Sequence, residues 1–242
     1  ITSHISHAEN PTLLADCFFR IGGFANRKNN IDISLQIKSN DVIGDHFWIW
    51  RADHGAGVGW DMNTARNGLV VYGDRVHVYC LCNEHFQQYQ TLWKGEDGKM
   101  FFYQCETPYD PQNQADYESH NGVAKGFAAY KVANGVKKHY ASMLGIYDVF
   151  INTNGALINI QNSIEVPAGE AGVHIHNACN VRISTLGGLN YVVNETQPST
   201  ANLAEAIGQR FFVVDYYGSD SDLVWEYDEV APLGKEVDDP NA

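Results

Sequence analysis

Residues Asn67–His85 read NGLVVYGDRVHVYCLCNEH, and residues Gly172–Gly188 read GVHIHNACNVRISTLGG. Both stretches set short runs of Val, Ile, Leu and Tyr between Gly, Asn and Asp turn residues, the composition of brief strands. Two or three such runs recur within about 20–25 residues, the rhythm of stacked coils in which each coil needs its neighbours to bury its apolar face. Comparable runs lie on either side: CFFRI (Cys17–Ile21), IDISLQI (Ile31–Ile37), HFWIW (His46–Trp50), KMFFYQC (Lys99–Cys105), GFAAYKV (Gly126–Val132) and ALINI (Ala156–Ile160). No long amphipathic helical pattern separates them. The reading is an all-β chain forming a right-handed parallel β-helix. An antiparallel sandwich or jelly roll has strands of similar length, but tight two-residue hairpin signals are scarce here.

The chain has 242 residues, 44% hydrophobic and 19% charged, enough to bury a sizeable core and unlike a disordered composition. Its formal net charge is −13, which disfavours nucleic acid or an anionic membrane as a partner and suits a neutral polymer such as a glucan. No apolar run approaches the ~20 residues of a membrane span. There is no initiating Met and no basic-then-apolar leader before Ile1, as in a mature product or a processed fragment. The five cysteines (Cys17, Cys80, Cys82, Cys105, Cys179) lack paired zinc-ligand spacing and read as buried thiols or, alternatively, one disulfide. Asn194-Glu195-Thr196 is a glycosylation sequon, which fits a secreted, extracellular protein.

Domain organisation reads as one β-helix over 1–214 followed by an acidic extension over 215–242. That extension holds nine acidic residues against Lys235 alone, the pattern of a solvated or edge-covering tail. FFVV (Phe211–Val214) offers a last strand, with Tyr216, Tyr217 and Trp225 to pack over the open end.

Chemistry concentrates in Glu84–Tyr109, EHFQQYQTLWKGEDGKMFFYQCETPY. Glu84 and Glu106 lie 22 residues apart, one coil, which sets their strands ~4.8 Å apart if both point outward on one sheet. Two carboxyls that close resist joint ionisation, and a protonated acid beside a carboxylate is the equipment of glycoside hydrolysis. Tyr89, Trp93, Tyr103 and Tyr109 are candidate platforms for pyranose rings, and Gln88, Gln90 and Gln104 candidate hydrogen-bond partners. Trp48 and Trp50 share a face, with Ile49 and Arg51 on the other, so one face is read as core and the other as cleft wall. Asp53 and His54 lack a serine in nucleophile-elbow context. His174 and His176 read as a stacked polar rung rather than as metal ligands.

These segments resemble glycoside hydrolase family 55, the exo-acting β-1,3-glucanases. Asp45–His54 (DHFWIWRADH) is similar to the family's tryptophan-rich segment ending in Ala-Asp-His. Asn67–Val71 with Val78-Tyr79 is similar to its next coil. Glu84-His85 with Tyr89-Gln90, then Gln104 with Glu106-Thr107-Pro108-Tyr109, resemble its Glu-His and Gln-Thr-Glu-Thr-Pro-Tyr signatures. The resemblance implies a pectate-lyase-like β-helix and inverting hydrolysis of β-1,3-glucan from the non-reducing end. It also implies Glu106 as general acid, Glu84 positioning the water, and Trp50, Asp53, Tyr89, Gln90, Gln104 and Tyr109 around the sugar. No metal or organic cofactor is implied. The family carries two β-helices in tandem with the cleft at their junction, and this chain resembles the second, so a further β-helix chain is an expected partner. Cys105 and Asp110 depart from the family pattern, which there has threonine and an aromatic. The alternative is a non-catalytic carbohydrate-binding or structural β-helix.

Overall fold

The computed structural model describes residues 6–183, 187–195 and 214–217. Strands alternate between two walls: β1 (Thr12–Ile21), β2 (Asn29–Ile37), β3 (Val42–Arg51), β4 (Asn63–Val71), β5 (His77–Glu84), β6 (Thr91–Trp93) and β7 (Gly98–Glu106). A small hairpin, β8 (Glu118–Ser119) and β9 (Ala124–Lys125), interrupts the series. The alternation resumes with β10 (Tyr130–Val132), β11 (Lys138–Asp148), β12 (Ile158–Glu165), β13 (Gly172–Arg182), β14 (Gly187–Val193) and β15 (Val214–Tyr217). One wall runs β1-β3-β5-β7-β11-β13-β15 and the other β14-β12-β10-β6-β4-β2. Apart from β15, neighbours within both walls pair in parallel. This is a right-handed parallel β-helix, the sense that parallel crossovers almost always take.

β15 is antiparallel to β13 and closes that end of the first wall. The last strand thus begins at Val214, where the apolar FFVV run ends, and crosses the expected boundary at 214/215. Tyr216, assigned by sequence to the tail, is buried. Trp225 and the acidic residues from Asp220 onward lie outside the described residues.

The core fills the space between the walls. Phe47, Leu81, Tyr103, Leu144 and Ala178 form one inward row across β3, β5, β7, β11 and β13, and all are buried. Burying each large apolar side chain contributes about 1.5–3 kcal/mol, and the row repeats through the stack.

A second column bends the first wall. Asp16, His46, Cys80, Phe102, Met143 and Asn177 all have φ between 51° and 64°, the left-handed region that costs a non-glycine residue about 1–2 kcal/mol. They occupy equivalent positions: the pairs on either side of Asp16 and His46 are Ala15↔Asp45 and Cys17↔Phe47, and the same gap recurs in every later pair of coils. Each such residue adds one outward position and resets the alternation of the strand. Met100 and Tyr103 therefore both point inward although they stand an odd three positions apart. The site lies on the outward face after this bend. On the face before it, Tyr79, Phe101, Tyr140 and His176 form a ring ladder with centroids 5.2–5.6 Å apart. His176 thus packs in a row of aromatic rings.

All five cysteines are free thiols, with Cys105 buried, so the disulfide alternative is not realised. The sequon is corrected as well. Asn194 is fully buried, its amide donates to the Val166 carbonyl at 2.7 Å, and its oxygen accepts from the Val166 N–H at 3.0 Å. A side chain so enclosed has no room for a glycan in the folded chain.

Candidate active site

Beyond the bend, outward positions on β3, β5, β7 and β11 fall into two rows. Trp48, Cys82, Gln104 and Gly145 form the first. Trp50 pairs with Glu84, and Glu106 pairs with Tyr147, in the second. The His85 N–H donates to the Glu106 carbonyl at 2.9 Å, which carries the β5–β7 register on to the two acids. Glu84 and Glu106 therefore sit on adjacent parallel strands, half-buried, on one outward face.

Their surroundings differ. Trp48 donates its indole N–H to Glu84 Oε2 at 3.0 Å. Burial pushes the Glu84 carboxyl above its ordinary range; the Trp48 hydrogen bond pulls it down, the Glu106 charge pushes it up again, and Gln104 opposes that. Glu106 Oε2 accepts from the Tyr109 hydroxyl, and Gln104 Nε2 lies 3.5 Å from Glu106 Oε1. Burial, then Glu106, holds the Tyr109 hydroxyl far above the usual phenol range, so it stays a donor.

Ile49 and Arg51 are buried on one face of β3, and both tryptophans face outward on the other. Their rings stack at 5.5 Å, Trp48 43% exposed and Trp50 only 9%. Strand alternation demands this, because residues two apart share a face. Trp50 owes its burial to the Arg20 guanidinium 4.9 Å above its ring and to His54 at 5.1 Å.

Asp53 Oδ1 accepts from His54 Nδ1 at 2.9 Å and lies 3.8 Å from His85 Nε2. Beneath the face, buried Arg51 grips Asp110 through both carboxylate oxygens at 2.8 and 2.9 Å. It also donates to the carbonyls of Asn63, Gly59 and His85 at 2.7, 3.0 and 3.2 Å. One guanidinium thereby ties the three loops that follow β3, β5 and β7. Asp110, the departure from the family pattern, is its carboxylate partner.

Of the sequence-predicted residues, Trp50, Asp53, Glu84, Gln104, Glu106 and Tyr109 come together. Tyr89 and Gln90 do not. Tyr89 is buried with its ring edge-on to Phe127 at 5.2 Å, on the side of the second wall. The Gln90 amide brackets its own loop, accepting from Phe86 N–H at 2.7 Å and donating to the Phe86 carbonyl at 2.7 Å. Trp93 and Tyr103 are core residues too, with the Tyr103 hydroxyl donating to the Ala129 carbonyl at 3.0 Å. Sequence reasoning underweighted Trp48, Arg51 and His85. Among the described residues no group of three or more His, Cys, Asp or Glu side chains is placed to hold a metal ion.

Residues 2–106 match the family described as the LAM55 pectate lyase-like domain. An exo-β-1,3-glucanase of Streptomyces sp. (strain SirexAA-E / ActE) is 43% identical over 195 residues, which are 81% of this chain and 31% of that protein. The chain is a relative of glycoside hydrolase family 55. Two structures of sacteLam55A from Streptomyces sp. SirexAA-E superpose on it. A variant in complex with glucose gives a TM-score of 0.77 at 39% identity, covering 87% of this chain and 36% of that one. The other gives 0.74 at 38% identity with the same coverage. The chain thus spans about a third of the length of the family 55 relatives it matches.

Proposed function

We propose that this chain is the catalytic β-helix of a β-1,3-glucan hydrolase. The observation that carries the reading is the Glu84–Glu106 pair: two acids on adjacent parallel strands, on one outward face, each with its own donor. The name of the Streptomyces relative, exo-β-1,3-glucanase, supports the substrate class. Glu106 protonates the glycosidic oxygen as the bond to the anomeric carbon breaks. Glu84, as carboxylate, takes a proton from the water that attacks that carbon from the opposite side, so the anomeric centre inverts. Trp48, the exposed ring of the stacked pair, offers the flat apolar wall for the terminal pyranose, with buried Trp50 backing it. Asp53 lies where it can bond a sugar hydroxyl, and Tyr109 and Gln104 hold the acid. A second β-helix, on the same or another polypeptide, completes the water network. The reading carries export with it, because a polymeric glucan meets the enzyme outside the cell.

Laminarin digestion followed by proton NMR of the released sugar tests the reading. The expected result is glucose appearing first as the α-anomer, with Glu106→Gln abolishing release while the fold is retained. Undiminished release by that variant contradicts the assignment. The exposed Trp48 ring also suits a second reading, a β-helix that binds glucan without turnover. Measurable affinity with no sugar released, alone or with a complementing β-helix, selects it.

A further inference from the structure

His85 is buried directly behind the two acids, yet the mechanism above does not use it. Its backbone has φ 68°, a left-handed conformation unfavourable for a side chain of this size. Three backbone bonds and contacts hold it there: its N–H on the Glu106 carbonyl, its own carbonyl on Arg51, and its ring edge-to-face with Tyr109 at 4.3 Å. The ring position is therefore over-determined.

The tautomer follows from one contact. Nδ1 lies 3.1 Å from the Thr107 carbonyl oxygen, and a carbonyl only accepts, so Nδ1 carries hydrogen. In the neutral ring, Nε2 then presents a lone pair. It faces Asp53 Oδ1 at 3.8 Å and Glu106 Oε2 at 3.9 Å. Asp53 Oδ1 already accepts from His54 and Glu106 Oε2 from Tyr109, so a proton on Glu106 is what gives the Nε2 lone pair a donor of its own. Burial favours the neutral ring, Asp53 and Glu106 oppose it, and Arg51 sides with burial. Tyr109 faces the same ring, its hydroxyl on Glu106, and Asp110 is occupied by Arg51.

We propose that His85 is a positioning residue that keeps a proton on the Glu106 side of this group, so that the acid is loaded between turnovers. The inference rests on the hydrolase reading above. Each turnover moves one proton from Glu106 to the leaving oxygen and one from water to Glu84. Glu84 then releases its proton to solvent, and the Asp53–His85–Glu106 group regains one from solvent, restoring the starting state. Distances of 3.8–3.9 Å are ordinary for a catalytic network without substrate, which tightens as the sugar enters.

The test is the pH profile of kcat/KM for His85→Asn and His85→Gln in the active enzyme, on a laminari-oligosaccharide and on 2,4-dinitrophenyl β-glucoside. The dinitrophenolate leaves without protonation, so it bypasses Glu106. The expected result is an alkaline limb displaced to lower pH by about half a unit or more on the oligosaccharide, with the activated substrate changed less than about threefold. Equal losses on both substrates with an unmoved limb overturn the proposal and leave His85 a packing residue. Ring-nitrogen NMR supplies a readout independent of turnover. The hydrogen is expected on Nδ1, and the His85 shifts are expected to move on Glu106→Gln; an Nε2–H ring or unmoved shifts overturn the proposal. If the wild type releases no sugar but the NMR expectation holds, the hydrolase reading has failed and the histidine geometry has not.

Discussion

The indole of Trp48 donates to Glu84 at 3.0 Å across two neighbouring strands, and it is the largest influence opposing the burial of that carboxyl. To accept a proton from water, Glu84 must be ionised. Trp48→Phe removes the hydrogen bond and leaves burial and the Glu106 charge to raise the carboxyl further. The acidic limb of kcat/KM should then move to higher pH, with activity near pH 5 falling about tenfold, the worth of one hydrogen bond to a charged group. A pH–rate profile checks it. An unmoved acidic limb means Glu84 is not the group that must ionise.

Tyr109 acts on the other acid. Tyr109→Phe keeps the ring against His85 but removes the donor to Glu106. Oligosaccharide turnover should drop by about tenfold or more, while thermal stability stays within about 1 kcal/mol, because one partly exposed hydrogen bond is lost. Kinetics and a melt on the same sample separate the two.

Arg51 and Asp110 predict the reverse balance. Asp110→Asn leaves a buried guanidinium without its carboxylate, a change that costs about 3 kcal/mol or more. The three loops tied to Arg51 should loosen together. Denaturant unfolding is expected to show the loss, and hydrogen exchange should rise at residues 52–62, 85–90 and 107–112 rather than along the strands.

Asp148, at the end of β11, makes a prediction about stability and pH. Its carboxylate oxygens are buried with no well-formed hydrogen bond, and burial lifts it to about 7 against the pull of Arg182 and the weaker pull of the Ile183 and Asp148 N–H groups. An unfolded aspartate titrates near ~3.9, so between about pH 4 and 7 the folded chain holds the extra proton. Stability from this group is present at acid pH and is lost as pH rises through that window. Asp148→Asn should raise the melting temperature by a few degrees at pH 8 and change it little at pH 4. Equal shifts at both values contradict the assignment.

The fold was legible because it depends on local features repeated many times: short strands, turn residues and the absence of helical periodicity. Half of the site was legible for the same reason. Once Glu106 is outward, alternation makes Gln104 outward, and a one-coil spacing brings Glu84 alongside. The same rule turns Tyr103 inward, which its aromatic character concealed. Tyr89 and Gln90 were misplaced because the chain swings to the second wall within five residues of Glu84, and an outward reading of β5 does not survive that turn. The column of left-handed residues carries no sequence signature: aspartate, histidine, cysteine, phenylalanine, methionine and asparagine share no property except their place in the stack. Asn194 shows the limit of a three-residue motif, since burial is decided by strands far away in sequence.

The two-acid assignment is tested most directly by comparing Glu106→Gln with Glu84→Gln on substrates of different leaving group. Glu106→Gln should lose laminari-oligosaccharide hydrolysis by about a thousandfold or more yet retain most of its rate on 2,4-dinitrophenyl β-glucoside, and Glu84→Gln should lose both. Equal loss on both substrates by Glu106→Gln, or retention of either by Glu84→Gln, would contradict the roles given to the pair.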